Sequence, residues 1–289
     1  MTIKKMLVPV TNPDASASPL AAAFTVAGPF DAHVEVLHVR ADPRNEIMAY
    51  VGEDMSGPMV QEVLEVAEAR ATDLAQKARK SFEDACTLAQ VPIAEFAPGP
   101  GGVSASWHEE TGYAESWIER RGRLADLTVI QRPTAVEDVV TRRAVEIAIL
   151  GTGRPLLVTP PTVPERIGGN VAIAWNGSAE AARSVGVAMP FLAKASSVTV
   201  LSADKGQTPG PDAADLVDYL TWHGIKARVA AVAVEGGSTG KALLAEASNA
   251  GADLMVMGAY THSRIREMIM GGVTRRVLDE TGIPVLMVH

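Results

Sequence analysis

Leu254-Met-Val-Met-Gly258, then Thr274-Arg-Arg276, then Ile283-Pro-Val-Leu-Met287 repeat an earlier series in the same chain. The earlier members are Leu127-Thr-Val-Ile-Gln131, Thr141-Arg-Arg143 and Arg154-Pro-Leu-Leu-Val158. Their order is kept and the spacing drifts by only a few residues. The openings of the two series match as well. Met6-Leu-Val-Pro-Val-Thr-Asn12 and Val171-Ala-Ile-Ala-Trp-Asn-Gly177 are each an apolar run ending at a small polar turn. Behind each lies an Ala-rich helical stretch, and then a second apolar run, Val34–Val39 or Val198–Ala203. Chance supplies one such pair but not the series, and self-similarity at this scale marks a duplicated architecture. Between the copies, Thr159–Asn170 (TPPTVPERIGGN) holds three prolines and two glycines, the composition of a linker. It divides the chain into residues 1–160 and 161–289.

Within each copy, apolar runs of four to six residues bounded by turns alternate with helical stretches. Such runs suit strands buried on both faces of a sheet. The second copy offers them at 171–175, 198–203, 226–234, 254–258 and 284–288. The longest helical stretch, Met59–Ala89, places Val60, Val63, Leu64, Ala67, Ala71, Leu74 and Ala78 at i, i+3, i+4 spacing, which predicts an amphipathic helix. Strand–helix alternation implies right-handed crossovers and a parallel sheet. The expected fold is α/β, two doubly wound five-stranded parallel sheets in tandem, with ligands beyond the carboxyl ends of the strands at the switch point.

Composition bounds the function. The 289 residues are 47% apolar and 21% charged, with 26 Lys and Arg against 34 Asp and Glu for a net charge of −8. A folded, acidic protein follows, and global electrostatics oppose a nucleic-acid partner. Cys86, the one cysteine, excludes an intrachain disulfide and a Cys-rich zinc site, and fits a reducing compartment. On the apolar side of its helix it reads as a buried structural thiol. The apolar stretch Met6–Val10 is short of a secretory leader, and no run approaches the roughly 18 apolar residues that cross a bilayer. The expectation is a cytoplasmic protein without a membrane segment.

The segment with chemical content is Gly258-Ala-Tyr-Thr-His-Ser-Arg-Ile-Arg-Glu-Met-Ile-Met-Gly-Gly-Val-Thr274. It leaves a strand and enters a helix expected at Thr274–Glu280. Glycine at a strand end admits close backbone approach. A Gly-Gly pair before a helix presents backbone N–H groups at the positive end of the dipole, an anion site. This segment resembles that of the universal stress proteins, which carry G-x2-G-x9-G-[ST] after the fourth strand. Gly258 and Gly271 fall on the first and third glycines, Thr261 on the second, and Gly272 on the Ser or Thr. The family's first strand ends in an Asp where this chain has Asn176, followed by Gly177 and Ser178.

The resemblance implies sheet order 3-2-1-4-5 in each copy, a pseudo-twofold axis between them, and pairing through the fifth strands at Pro155–Val158 and Pro284–Val288. It implies an intrachain pseudo-dimer, with homodimers also known in the family. It further implies a non-catalytic stress-response protein whose ligand is an adenine nucleotide, ATP with magnesium. Asn176 would lie near the base or ribose, and Gly258, Thr261, Gly271, Gly272, Val273 and Thr274 near the phosphates. His262, Arg264 and Arg266 add donors beside them. In the first copy Gln131, Asp138, Val139 and Thr11 stand where Gly258, Gly271, Gly272 and Asn176 stand, and an aspartate there repels a phosphate. Two other readings stand beside this one, a ligand-free interaction module of the same family and a slow ATP hydrolase.

Several motifs fail. Gly236-Gly-Ser-Thr-Gly-Lys241 lacks the leading Gly and the trailing Ser or Thr of a Walker loop, offering Glu235 and Ala242. It reads as a turn capped by Ser238 or Thr239 before a helix at Lys241–Ala250. His108-Glu109-Glu110-Thr111-Gly112 lacks the second His of a zinc protease helix. No nucleophile is paired with a base at a recognisable spacing, so no catalytic or metal-ligating residue is expected.

Overall fold

The computed structural model describes residues 2–44, 57–95, 101–134, 138–203, 210–234, 238–259 and 272–289. In the first half the strands are β1 (Lys5–Pro9), β2 (His33–Arg40), β3 (Ser104–Thr111), β4 (Leu127–Gln131) and β5 (Leu156–Thr159). Between them run α1 (Ala17–Ala27), α2 (Gly57–Ala89), α3 (Ala114–Gly122) and α4 (Val139–Gly151). The second half repeats the order with β6 (Asn170–Trp175), α5 (Ala179–Leu192), β7 (Ser197–Ala203), α6 (Ala213–Trp222), β8 (Ala227–Val232), α7 (Thr239–Asn249), β9 (Leu254–Gly258), α8 (Gly272–Glu280) and β10 (Val285–Val288).

The strands form one ten-stranded sheet, β3-β2-β1-β4-β5-β10-β9-β6-β7-β8. Each half therefore has the order 3-2-1-4-5, and all pairings within a half are parallel. The halves join where β10 runs antiparallel to β5, with Val285 opposite Val158 and Leu286 opposite Leu157. The two apolar edges expected at the fifth strands thus cover each other, and neither is left as a template for another chain.

Alternation along the strands explains their unbroken apolar runs. Met6, Val8, Val34, Val36, Ile173 and Val256 pack on one face with residues of α1, α2, α5 and α6. Leu7, Leu37, Ile130, Met255, Met257 and Val285 pack on the other with residues of α3, α4, α7 and α8. Strands buried on both faces have no polar side to show. Phe30 and Phe191 meet edge to face at 5.5 Å across the junction of the halves.

One carboxylate in each half fastens the sheet by a device that the sequence repeat contains but does not advertise. Asp126 Oδ2 accepts the N–H groups of Lys4 (2.8 Å) and Lys5 (3.0 Å) at the start of β1. Its counterpart Asp253 takes the N–H groups of Gly168, Gly169 and Asn170 at the start of β6. Both sit in an Ala-Asp-Leu triplet, Ala125–Leu127 and Ala252–Leu254.

Two departures from expectation matter later. The stripe on α2 is buried only from Ala71 onward, through Ala75, Ala78, Phe82 and Cys86. No residue from 58 to 70 is buried. The His108–Gly112 motif lies at the end of the strand β3 and not on a helix.

Glu35 is buried at the middle of β2, 2.8 Å from Lys5 Nζ and 2.8 Å from Arg121 Nη1. Burial pushes its carboxyl up, but the hydrogen bonds and charges of Lys5 and Arg121 outweigh burial and hold it below the ordinary 4.5. A depressed folded value means that the stabilisation is complete above pH 4.5 and is lost as pH falls through the folded value. Urea denaturation across acid pH should show Glu35→Gln with a flatter acid limb than wild type; identical limbs would assign the acid sensitivity to other carboxylates.

Candidate functional site

The strand order reverses direction between β6 and β9 in the second half, so their carboxyl ends open the crevice where ligands of such sheets lie. Four helix N-termini stand at this end, those of α5, α6, α7 and α8. Asn176 leaves β6 exposed. Its Oδ1 accepts the N–H of Ser178 at 3.1 Å, which leaves the amide Nδ2 without a protein partner among the described residues. Gly177 has φ +74°, a left-handed turn that favours glycine. Ser178 then caps α5, its Oγ accepting the N–H of Ala181 at 3.2 Å. Trp175 Nε1 donates to the carbonyls of Pro211 and Asp212, both at 3.0 Å. This bond folds the chain beyond β7 across the turn so closely that a Cβ on Gly177 would lie 2.8 Å from Pro211 O. Trp175 and Gly210, which form this wall, had no motif to announce them.

Gly258 ends β9, but its closeness is to the protein itself. A Cβ there would stand 2.6 Å from the carbonyl carbon of Glu180 and 2.7 Å from the N of Ala181. The glycine admits the first turn of α5 against the strand on the side where a Cβ would stand. On the next element, Gly272 opens α8. Among the described residues a Cβ there would meet nothing within 4 Å, and φ is outside the left-handed region. Val273 is half-buried, and Thr274 is buried at 4% exposure. The first turn of α7 presses on α8, for a Cβ on Gly240 would lie 2.9 Å from Arg276 Cβ and 3.2 Å from Val273 O. Ser238 stands at the N-cap of α7 without a side-chain capping bond. Thr261 and Gly271, with His262, Arg264 and Arg266, lie outside the described residues.

The first half presents the same register with different contents. α4 begins at Val139 and α8 at Gly272, and each buries a threonine two residues on, Thr141 and Thr274. The Asp138 carboxylate accepts the Thr141 N–H at 3.2 Å, and Thr141 Oγ1 lies 3.3 Å from Thr11 Oγ1. The cleft between Thr11, Gln131, Asp138 and Thr141 has a volume of about 10 Å³, room for one water at most. Here the helix start is satisfied by the protein. The Thr-Arg-Arg repeat also joins the halves, since Arg142 Nη2 lies 2.9 Å from Asp279 Oδ1 at the end of α8.

Cys86 is buried, and burial pushes its thiol up to about 11, so it is not a poised nucleophile. No group of three or more His, Cys, Asp or Glu able to hold a metal ion occurs among the described residues. No helix among them is long and apolar enough to cross a membrane.

Comparison with known proteins bears on the same architecture. A universal stress protein of Archaeoglobus fulgidus superposes with a TM-score of 0.68 at 16% identity, over 98% of this chain and 97% of its own. A putative universal stress protein of Pseudomonas aeruginosa does so with a TM-score of 0.52 at 15% identity, over 99% and 93%. At such identities the likeness is one of fold. A universal stress protein of Synechocystis sp. is 56% identical over 34 residues, and the match spans 12% of each protein's length. The universal stress protein family as a whole matches residues 2–130 and again residues 170–289. With its duplicated sheet and two family matches covering most of its length, the chain belongs to the universal stress protein family.

Proposed function

We propose that the chain is a non-catalytic, nucleotide-responsive stress-response protein that binds an adenine nucleotide in its second half alone. Residues 161–289 carry the ligand and residues 1–160 serve as a scaffold. ATP with magnesium is the ligand. Asn176 offers an amide to the base or ribose, and Gly258, Thr261, Gly271, Gly272, Val273 and Thr274 border the phosphates. The observation that carries this reading is the contrast between two equivalent helix starts. In the first half the Asp138 carboxylate occupies the end of α4 and the cleft holds about 10 Å³. In the second, α8 opens with the exposed Gly272, and among the described residues no atom lies within 4 Å of where its Cβ would stand. Backbone N–H groups at a helix start suit a phosphate when no carboxylate stands on them. The residues therefore fit the group. Bound there, the nucleotide would act by being held; the serine–histidine contacts among the described residues, His33 with Ser104 and Ser106, lie on β2 and β3 of the first half.

Calorimetric titration with ATP and Mg²⁺ tests this on wild type and on Thr261→Gly. The variant removes a Cβ where the family brings backbone to phosphate, so it should bind more tightly than wild type. Heat from neither protein would leave the ligand-free interaction module as the reading. Steady release of phosphate in the same samples would favour the slow hydrolase.

A further inference from the structure

A cavity of about 290 Å³ lies at the other end of the sheet, where the strands begin. Residues 165–169 of the linker, the C-terminal ends of α1 and α5, and the turn after α1 enclose it. None of the residues placed at the nucleotide crevice lines it. Its size is close to the lower limit of small-ligand pockets, about 300 Å³. The repeat supplies a comparison within the molecule. In the corresponding place before β1, Thr2 and Ile3 meet Pro190 and Phe191 of α5, and the cleft there holds about 10 Å³. Of the two related clefts, the protein fills one and leaves the other open. Val26, Phe30, Ile167 and Phe191 give the open one apolar walls, and the rings of Phe30 and Phe191 brace each other edge to face.

The polar side chains of its lining are Thr25, Glu165, Arg166 and Lys194. Arg166 and Lys194 are exposed and form no ion pair among the described residues. Lys194 Nζ stands over the Phe30 ring, 5.4 Å from its centroid. Glu165 balances one of these two cations, so the lining keeps a positive charge. Asp253 also comes up to Gly169, but its oxygens already accept the N–H groups of Gly168, Gly169 and Asn170. The helix ends are engaged in the same way. The carbonyls of Ala27, Phe191 and Leu192 accept the N–H groups of Ala32, Lys194 and Ala195. The cavity therefore joins apolar walls to an excess of donors, those of a guanidinium and an ammonium.

We propose that this cavity binds a compact aromatic acid, its ring among the apolar walls and its carboxylate on Arg166 and Lys194. A carboxylate is the group that a guanidinium fork meets with two parallel hydrogen bonds. An apolar body with one well-placed polar anchor is what such a pocket orients. The volume limits that body to roughly one or two rings. The site is independent of the nucleotide, which belongs to the opposite end of the strands.

The test is calorimetric titration of the full chain with naphthoate, and with naphthylmethanol as an uncharged probe of similar shape. Naphthoate should bind at one site per chain, and naphthylmethanol roughly tenfold more weakly or worse, the usual loss of a hydrogen bond between charged partners. Arg166→Gln with Lys194→Gln should weaken naphthoate by a similar factor and leave naphthylmethanol unchanged. Melting should stay at the wild-type value, because both side chains are exposed and hold no carboxylate. Arg166→Lys, which keeps the charge and loses the fork, should fall between wild type and the double variant. No heat from naphthoate overturns the proposal. Equal affinity of wild type and the double variant places the acid elsewhere and overturns it as well. Naphthylmethanol binding as tightly as naphthoate overturns the role given to the two cations.

Discussion

Gly272→Asp is expected to abolish ATP binding and to leave the fold as stable as before. The binding loss follows from charge. A carboxylate at the first position of α8 stands where the phosphates would meet the helix N–H groups. Like charges at about 4 Å repel by about 4 kcal/mol at an effective dielectric near 20, which is about a thousandfold in affinity. The stability follows from geometry. Among the described residues a Cβ at Gly272 meets nothing within 4 Å, and the backbone there is not left-handed, so a side chain brings no clash with them and no backbone strain. An acidic residue in the first turn of a helix is favourable, by about 0.3–1 kcal/mol. The protein already contains a carboxylate one position earlier in the repeat, where Asp138 caps α4 by accepting the Thr141 N–H. Calorimetric titration with ATP and Mg²⁺, beside thermal melting, reads both quantities. If ATP binds the variant and wild type alike, no phosphate sits at α8; if the variant unfolds, the open space at Gly272 is taken up by something else.

Much of this architecture was legible because it is written in burial. A strand covered on both faces must be apolar throughout, so Leu127–Gln131 and Leu254–Gly258 stand out as runs, and the repeat places them in one topology. The Thr-Arg-Arg register held to the residue, since α4 and α8 begin two residues before their buried threonines. Features that depend on distant partners were not legible. Asp126 and Asp253 collect backbone N–H groups from residues over eighty positions away, and one carboxylate leaves no periodic trace. Trp175 looked like the end of an apolar run, yet its indole N–H fixes the wall of the site. The periodicity of α2 marked an amphipathic helix correctly without saying where its partner ends, because spacing reports a face and not what covers it. Gly258 shows the same limit most sharply: a glycine at a strand end announces a close approach and leaves the approaching group unnamed.

That group is the first turn of α5, and the second large effect follows from it. Gly258→Ala should lower stability by about 3 kcal/mol, the upper part of the range for overpacking a closed site. The new methyl would have to occupy a point 2.6 Å from the carbonyl carbon of Glu180 and 2.7 Å from the N of Ala181. Both are backbone atoms, so no rotamer change relieves the contact, and strand and helix must separate. The first half shows what happens without the glycine. Gln131 ends β4 at the equivalent position with its side chain largely buried, so that element is built around a side chain from the start. Urea denaturation measures the loss as a lower midpoint with an unchanged slope. A change within about 0.5 kcal/mol, ordinary for a surface site, would mean that α5 stands further from β9 than this geometry has it. The two glycine substitutions therefore separate the fold from the site. Gly258 is required for packing whether or not a nucleotide binds, so a substitution there reads stability before it reads ligand. Gly272 packs against none of the described residues on its Cβ side, so a loss of binding there with melting unchanged reports on the phosphate.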